Sequence, residues 1–502
     1  MALRFRLGPR KKINAPDCAG FWFVCKAHPP VYISGYVLVD ATQQTDQRTS
    51  QMVYLFFAET LKSTHPELQW PDGNLLKRKG DLMDYSPEIL RQIREGRAKF
   101  IAMAGTYFLG VFNDNFFKQA CMLLAVASGL SGLQGRATVF FALPFILCSA
   151  YAGWLADRFS KRNVVIGVKF LELTAMIIGA IGIITLNWDC IIAMVGLMGL
   201  QSTIFGPSLN GSIPELYPVE YITSANAIIK LVTTAAILLG VAFAGISLDQ
   251  DWATTSVPFG RILVAVTILV VSIIGIAASF GVPRHNPAGN KAPFPWAGPL
   301  NSIKDVIETR KDSQLLIAIL GDSFFYFLGS FTIMIINTLG LVQLGFTRTT
   351  TSLLSVSLMT GICAGSLVAG KTISHNNWAR FMPFSAFGMG IGLIMAAGTP
   401  FLPGSIRLFS LFSILIFTGT CGGLFLIPLT SFIQARPAAA EKGKIIAASN
   451  FCAFSGILLS GQIFERLTPL LSPSSIILIL GLSGALAAFI FFILIKRGNY
   501  YA

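Results

Sequence analysis

The sequence predicts an all-α membrane protein, with twelve transmembrane helices arranged in two six-helix halves. Three observations carry that reading. Of 502 residues, 53% are apolar and only 12% charged, and the mean hydropathy is +0.66, whereas soluble domains carry about 25% charged residues. A globular core cannot absorb that excess, because buried volume is limited and the surface has to stay wet. Apolar runs of about 20 residues, the length that crosses a hydrocarbon core, recur along the chain. A stretch rich in Pro, Gly and charge, residues 283–313, divides those runs six and six.

The first six spans are read at 100–128, 136–155, 163–185, 190–210, 223–247 and 261–281. The second six are read at 314–343, 350–370, 380–401, 405–432, 444–465 and 474–496. The domains are therefore an N-terminal half over 98–282, a cytoplasmic linker over 283–313 and a C-terminal half over 314–502. The linker ends in "SIKDVIETRKD", which fits a short amphipathic helix on the membrane surface. Residues 1–97 read as an N-terminal cytoplasmic extension, either poorly ordered or a small accessory element. It closes on "SPEILRQIREGRAK", where Ser86 can cap a helix and Pro87 can open it. There Ile89, Leu90 and Ile93 oppose Arg91, Arg94 and Arg97, the pattern of a helix lying on an anionic surface. No charged start leads into an uninterrupted apolar stretch and a small-residue cleavage site, so no signal peptide is read.

Basic residues set the orientation. One set of loops holds Arg158, Lys161, Arg162, Arg284, Lys291, Lys304, Arg310, Lys311, Lys371, Arg436, Lys442 and Lys444; the opposite set holds Arg136, Arg348 and Arg466. The expectation is a multi-pass protein of a bacterial inner membrane with both termini cytoplasmic. The net charge of +14 sits mostly in these loops and in the first 80 residues, without the interleaved aromatics of a single-strand binder. Nucleic acid is not an expected partner.

Enzyme chemistry finds little support. The eight cysteines form no C-x-x-C pair, and the four histidines share no i,i+4 spacing, so no metal site or cofactor is read. A glycerolipid acyltransferase needs an H-x-x-x-x-D pair, in which Asp orients His as a base. The residues five places after the histidines are Ile33, Trp70, Asn290 and Arg380. No adenylate-forming loop is visible either.

The halves echo one another. Pro207 at the end of the fourth span, then Glu220 and Asn226, correspond to Pro428 at the end of the tenth, then Glu441 and, after a short insertion, Asn450. Parallel repeats around a central site are a common transporter plan.

Two motifs carry chemistry. "GWLADRFSKR", residues 153–162, lies between the second and third spans. Gly153 permits close helix passage, Asp157 can face a helix N-terminus, and Arg158, Lys161 and Arg162 add basic charge. The string resembles the cytoplasmic signature of the major facilitator superfamily, which implies a major facilitator fold. By that resemblance these five residues form a conformational gate that latches the halves and releases as they rock. The matching loop of the second half, "GKTISHNNWAR", keeps only Gly370 and Arg380.

The second motif is "GVFNDNFFKQA", residues 110–120, in the middle of the first span. A charge there costs about 2.5–3.5 kcal/mol even on lenient scales. Asp114 and Lys118 lie one turn apart and can neutralise each other, and Asn115 and Gln119 repeat the spacing. The plainer reading is interhelical glue; the preferred one is a wet cavity wall, because intramembrane ionisable groups usually mark a path for cargo. Lys169 and Glu172 of "VKFLEL" form an i,i+3 pair that structure or transport could equally use. Lys230 is a point charge able to reach a phosphate.

"FNDNFFKQA", "LPFILCSAYAGWLADRFSKR", "VKFLEL", "GPSLNGSIPELYP" and "GGLFLIPLTSFIQARP" together resemble the lysophospholipid transporter branch of that superfamily, over about residues 98–497. The resemblance implies a flippase carrying 2-acyl-glycerophosphoethanolamine and related lysolipids to the inner leaflet, with a lysolipid acyltransferase or acyl-carrier-protein synthetase as partner. The chain departs from the branch in having no cationic residue near the middle of the seventh span, where Asp322 and Asn337 stand. The expected head-group site comprises Asn113, Asp114, Asn115, Lys118, Gln119, Lys230 and Asp322. The alternatives are a proton-coupled carrier of another amphiphile, such as a drug or siderophore, and a non-transporting scaffold for acyltransferases.

Overall fold

A computed structural model describes residues 31–33, 36–38, 87–250, 257–283, 293–373, 378–438 and 441–498. The chain divides into two units, Met1–Leu82 and Met83–Ala502. In the first, the described residues are two antiparallel strands, β1 (Val31–Ile33) and β2 (Tyr36–Leu38); the rest of that unit lies outside the described residues.

The second unit is helical. Its N-terminal half holds α1 (Pro87–Ala127), α2 (Leu133–Arg158), α3 (Lys161–Thr185), α4 (Trp188–Asn210), the short α5 (Ile213–Leu216), α6 (Val219–Leu248) and α7 (Phe259–Ser279). The linker helix is α8 (Gly298–Glu308). The C-terminal half holds α9 (Ser313–Thr338), α10 (Arg348–Thr372), α11 (Trp378–Gly398), α12 (Gly404–Ala435), α13 (Lys442–Leu467) and α14 (Pro473–Arg497). Among the described residues, eleven helices are long and apolar enough to cross a membrane. The twelfth is α1, whose polar middle lowers its hydropathy although its apolar flanks are long enough to span.

Pro87 opens α1 as expected, but the basic stretch after it is not a separate surface helix. It continues without a break into the first span, because nothing between Arg97 and Phe100 interrupts the helix. The boundary read at 97/98 thus falls inside one element. The linker does form a short helix, on which Leu300, Ile303 and Ile307 share one exposed apolar face.

The duplication read from Pro207 and Pro428 is visible in the packing. Helix α1 packs on α6 as α9 packs on α13, α2 on α4 as α10 on α12, and α3 on α7 as α11 on α14. Each half has its own apolar core, one centred on Phe116, Phe117 and Met194, the other on Phe331, Phe425 and Leu480. The outward faces are apolar as well: Ile273, Leu367, Phe384 and Phe489 are all more than half exposed, as lipid-facing positions are.

The halves meet along α2·α13 and α6·α10. One end of the bundle, here the basic end, carries the α2–α3 turn and the linker; the other is the far end. Side-chain hydrogen bonds joining the halves gather toward the far end. Arg136 Nη2 donates to Glu465 at 2.7 Å, and the N–H of Thr349 donates to Asp249 at 2.7 Å, so the last residues of α6 cap the N-terminus of α10 across the divide. Gly135 and Gly461 abut here, and a Cβ on Gly461 would lie 2.5 Å from the Gly135 carbonyl. Nearer mid-height, Phe145 stacks on Phe454 at 3.9 Å. At the basic end the linker bridges the halves: Phe294 stacks on Tyr151 of α2 at 5.1 Å, and Lys444 at the start of α13 pairs with Asp305 at 3.4 Å and with Glu308. The hydrogen bond from Lys444 holds the Glu308 carboxyl below its ordinary value.

Candidate functional site

Helix α1 turns its polar residues in several directions. Asp114 is partly buried and accepts from α4: Gln201 Nε2 at 3.0 Å and the Ser202 hydroxyl at 2.5 Å. Lys118, one turn on, does not pair with it. Its ammonium lies 4.8 Å above the Phe141 ring of α2, a cation–π contact that partly replaces lost hydration. The expected mutual neutralisation is therefore replaced by two separate arrangements, neutral donors around the carboxylate and an aromatic face under the ammonium. Both side chains keep some exposure, and opposite charges stand on one wall about 6 Å apart along the axis.

Asn113 points away from that wall. Fully buried, its amide donates to Glu172 at 3.2 Å and to the Ile268 carbonyl of α7 at 3.2 Å. Glu172 holds Lys169 at 2.6 Å, both completely buried, with the ammonium 4.9 Å from the Phe205 ring. Gly110 makes room for that ammonium, which would lie 2.8 Å from a Cβ. The pair that the sequence left open is thus part of a closed cluster inside the N-terminal half. It fixes the rotation of α1 and leaves Asp114 facing α4.

Asn115 returns its amide to the Val111 carbonyl at 2.8 Å and packs beside Gly240 of α6; it contributes nothing to the charged wall. Gln119 is buried between the halves. It donates to Asn337 at 3.0 Å and Ser352 at 3.3 Å, while Asn337 donates to Gln134 at 2.9 Å and Gln134 to Thr338 at 3.1 Å. This amide ladder ties α1 and α2 to α9 and α10 toward the far end, so Gln119 joins the halves beyond the charged wall.

Lys230 is exposed on α6, and no described partner fixes its ammonium. Asp322 is buried in the C-terminal half, 4% exposed. Its Oδ2 accepts from Ser449 at 3.1 Å, and its Oδ1 has no partner among the described residues. Among the described residues, no hydrogen bond or ion pair joins either residue to Asp114 or Lys118.

In the basic motif, Lys161 bonds Glu215 and the Gly211 carbonyl, the latter at 2.7 Å, and Arg162 donates to the Phe280 carbonyl at 2.7 Å. Arg158 covers the Trp154 ring at 5.5 Å. Asp157 is exposed, and a Cβ on Gly153 would meet open space. These bonds pin α3 to the ends of α4 and α7 within one half. The inter-half latch expected from the motif is not made between described residues in this state, in which the bonds between halves sit toward the far end.

Sequence reasoning missed Gln201 and Ser202, the partners of Asp114, and Gln134 and Ser352 of the ladder. An adjacent amide and hydroxyl inside a span was the available signal for the first two. No group of three metal-ligating side chains occurs among the described residues.

The fold has counterparts in known proteins. The chain is 27% identical over 325 residues to the lysophospholipid transporter LplT of Pectobacterium carotovorum, a match covering 64% of this chain and 74% of the relative. It is 24% identical to LplT of Serratia proteamaculans, covering 72% and 86%. Among solved structures, a D-xylose–proton symporter superposes with a TM-score of 0.62 at 15% identity, over 78% of this chain and 97% of that one. A structure of proton-dependent oligopeptide transporters gives 0.61 at 12% identity, over 81% and 100%; at such identities the likeness shows the fold alone. The family model of the Major Facilitator Superfamily matches residues 98–461, and the chain belongs to that superfamily as a multi-pass membrane protein.

Proposed function

We propose that the protein is a lysophospholipid flippase of a bacterial inner membrane, working by alternating access. The observation that carries this is the wall on α1: a carboxylate and an ammonium at mid-span, partly exposed and not paired with each other. A zwitterionic ethanolamine-phosphate head group matches that arrangement, its phosphate toward Lys118 and its amine toward Asp114. The curated relatives named as lysophospholipid transporters support the substrate class. On this reading the basic end is cytoplasmic and both termini lie there. Bonds between halves near the far end then describe a state closed to the outside. Lysolipid delivered inward would serve a reacylating partner, an acyltransferase or acyl-carrier-protein synthetase. Gly153, Asp157, Arg158, Lys161 and Arg162 act as the conformational gate, engaging the second half when the basic end shuts.

The test is a leaflet assay with purified protein in liposomes and a labelled 2-acyl-glycerophosphoethanolamine. Protein-dependent movement of the lysolipid, but not of the two-chain parent lipid, is the expected result. Protein that moves neither, while a known flippase works in parallel, refutes the assignment.

One observation favours a second reading, a proton-coupled carrier. Asp322 is the one acidic residue in α9, and its Oδ1 lacks a partner among the described residues. An imposed pH gradient that accelerates transport in the parent but not in Asp322→Asn would establish that coupling.

A further inference from the structure

At the far end, between the halves, lies a cavity of about 450 Å³ that the charged wall does not include. Its lining comes from the end of α1 (Val126, Ala127), the segment after α9 (Leu341, Val342) and the end of α6 with the start of α10 (Asp249, Arg348). The volume falls in the range of small-molecule sites, which are mostly apolar with a few placed polar groups. Val342 is 59% exposed, an apolar side chain left bare at the mouth. Arg348 supplies the charge. Its Nη1 donates to the Leu248 carbonyl at 3.3 Å and stands 3.5 Å from Asp249, but its Nε is buried and has no acceptor among the described residues. The Arg348 side chain as a whole is 37% exposed, and the planar donor fork that it presents matches a phosphate.

The position gives the cavity its meaning. Ser352 follows Arg348 by one helical turn, and Gln119 precedes Val126 by two, roughly 10 Å along the axis. Those two residues belong to the amide ladder that joins the halves beyond Asp114. The cavity therefore sits directly outside the closed ladder.

We propose that this cavity is a loading site, where a single-chain amphiphile bearing a phosphate waits before the ladder opens. Arg348 takes the phosphate, and Val126, Leu341 and Val342 take the first part of the acyl chain. The substrate class rests on the flippase reading; the site itself is tested without transport. Because Asp249 both pairs with Arg348 and caps the N-terminus of α10, a phosphate that draws Arg348 away also loosens one of the contacts joining the halves.

The experiment uses the full chain in nanodiscs with Val342→Cys at the mouth and a membrane-impermeant maleimide, scored above the labelling of the parent chain. A lysophosphatidylethanolamine below its micellar concentration is expected to slow labelling, about tenfold at ten times its dissociation constant. A monoacylglycerol of the same chain length should slow it far less. Arg348→Gln should remove the difference and Arg348→Lys restore part of it, which separates charge from folding. Asp114→Asn should leave the protection intact while lowering transport about tenfold or more. No protection by the lysolipid overturns the proposal. Equal protection by the monoacylglycerol overturns the phosphate contact, and protection by inorganic phosphate alone reduces the cavity to an anion site and overturns the lipid. Loss of transport in the parent with protection retained overturns the flippase reading and leaves this site standing.

Discussion

The two halves share one packing plan and differ in what they bury. The N-terminal half encloses two charged clusters, Asn113–Glu172–Lys169 and Asp114–Gln201–Ser202. The C-terminal half has a single mid-span carboxylate, Asp322, and is distinguished instead by a seam of glycines. In that seam a Cβ on Gly361 or Gly365 of α10 would overlap a carbonyl of α12, and one on Gly419 or Gly423 would overlap a carbonyl of α10. The matching α2·α4 seam has one such overlap, between Gly199 and the Phe141 carbonyl. Backbone-to-backbone contact without intervening side chains lets α10 and α12 pack closely. The difference separates the halves: the first holds the polar chemistry, and the second the closer backbone packing.

The largest effect expected from breaking this contrast lies in the buried pair. Glu172→Ala strands the Lys169 ammonium and should destabilise the protein by about 3–5 kcal/mol, as removing one member of a buried pair does. Lys169→Met combined with Glu172→Met should recover most of that, read by thermal unfolding in detergent. Recovery would show that the pair sets geometry more than stability; no recovery would mean its charge is needed for folding.

Overpacking comes next. Gly365→Ala should cost about 1–3 kcal/mol in the same unfolding experiment, and adding Gly419→Ala should cost more. Gly199→Ala in the first half is expected to be the only single change in its seam with a comparable cost. Equal sensitivity at Gly196, where a Cβ has 3.8 Å of room, would erase the distinction between the halves.

Asp114→Asn keeps the size of the side chain and removes its charge. Losing one charge-assisted contact, about 1.5–3 kcal/mol, should lower lysolipid transport by about tenfold or more with little change in unfolding temperature. Asn115→Ala, by contrast, should leave transport near normal, because its amide serves its own helix.

Much of this contrast was legible in the sequence. Eleven of the twelve spans fall within a few residues of their expected ends, since hydropathy and loop charge act locally along the chain; the first begins thirteen residues early, at Pro87. The duplicated Pro and Asn positions announced the symmetric packing. The facing of polar residues was not legible. Spacing placed Asp114 and Lys118 on one side of α1, but which neighbour each would meet depended on Gln201, Ser202 and Phe141, 23 to 88 residues away in sequence. Asn113 and Gln119 went astray for the same reason: a polar stripe wider than one face is divided among several neighbouring helices, and only packing decides the division. The surface helix before the first span failed because amphipathicity does not stop a helix from continuing.

The smallest effect lies at the linker. The Lys444 hydrogen bond lowers the Glu308 pKa, so its contribution to docking α8 is fully present above the ordinary glutamate value and fades as pH falls through the depressed one. Proteolysis of the linker should therefore be flat from neutral pH down to about pH 4.3 and increase only below it. Glu308→Gln should remove that dependence, and high salt should weaken docking at neutral pH.

The central claim is that the charged face of α1 is wet at mid-bilayer depth and open toward the basic end. A cysteine at Asp114, challenged with a membrane-impermeant thiol reagent, tests it most directly. The expected result is labelling from the basic side, slowed by added lysophospholipid, with far weaker labelling from the other side. A thiol unreactive from both sides would show a dry helix contact there and contradict the account.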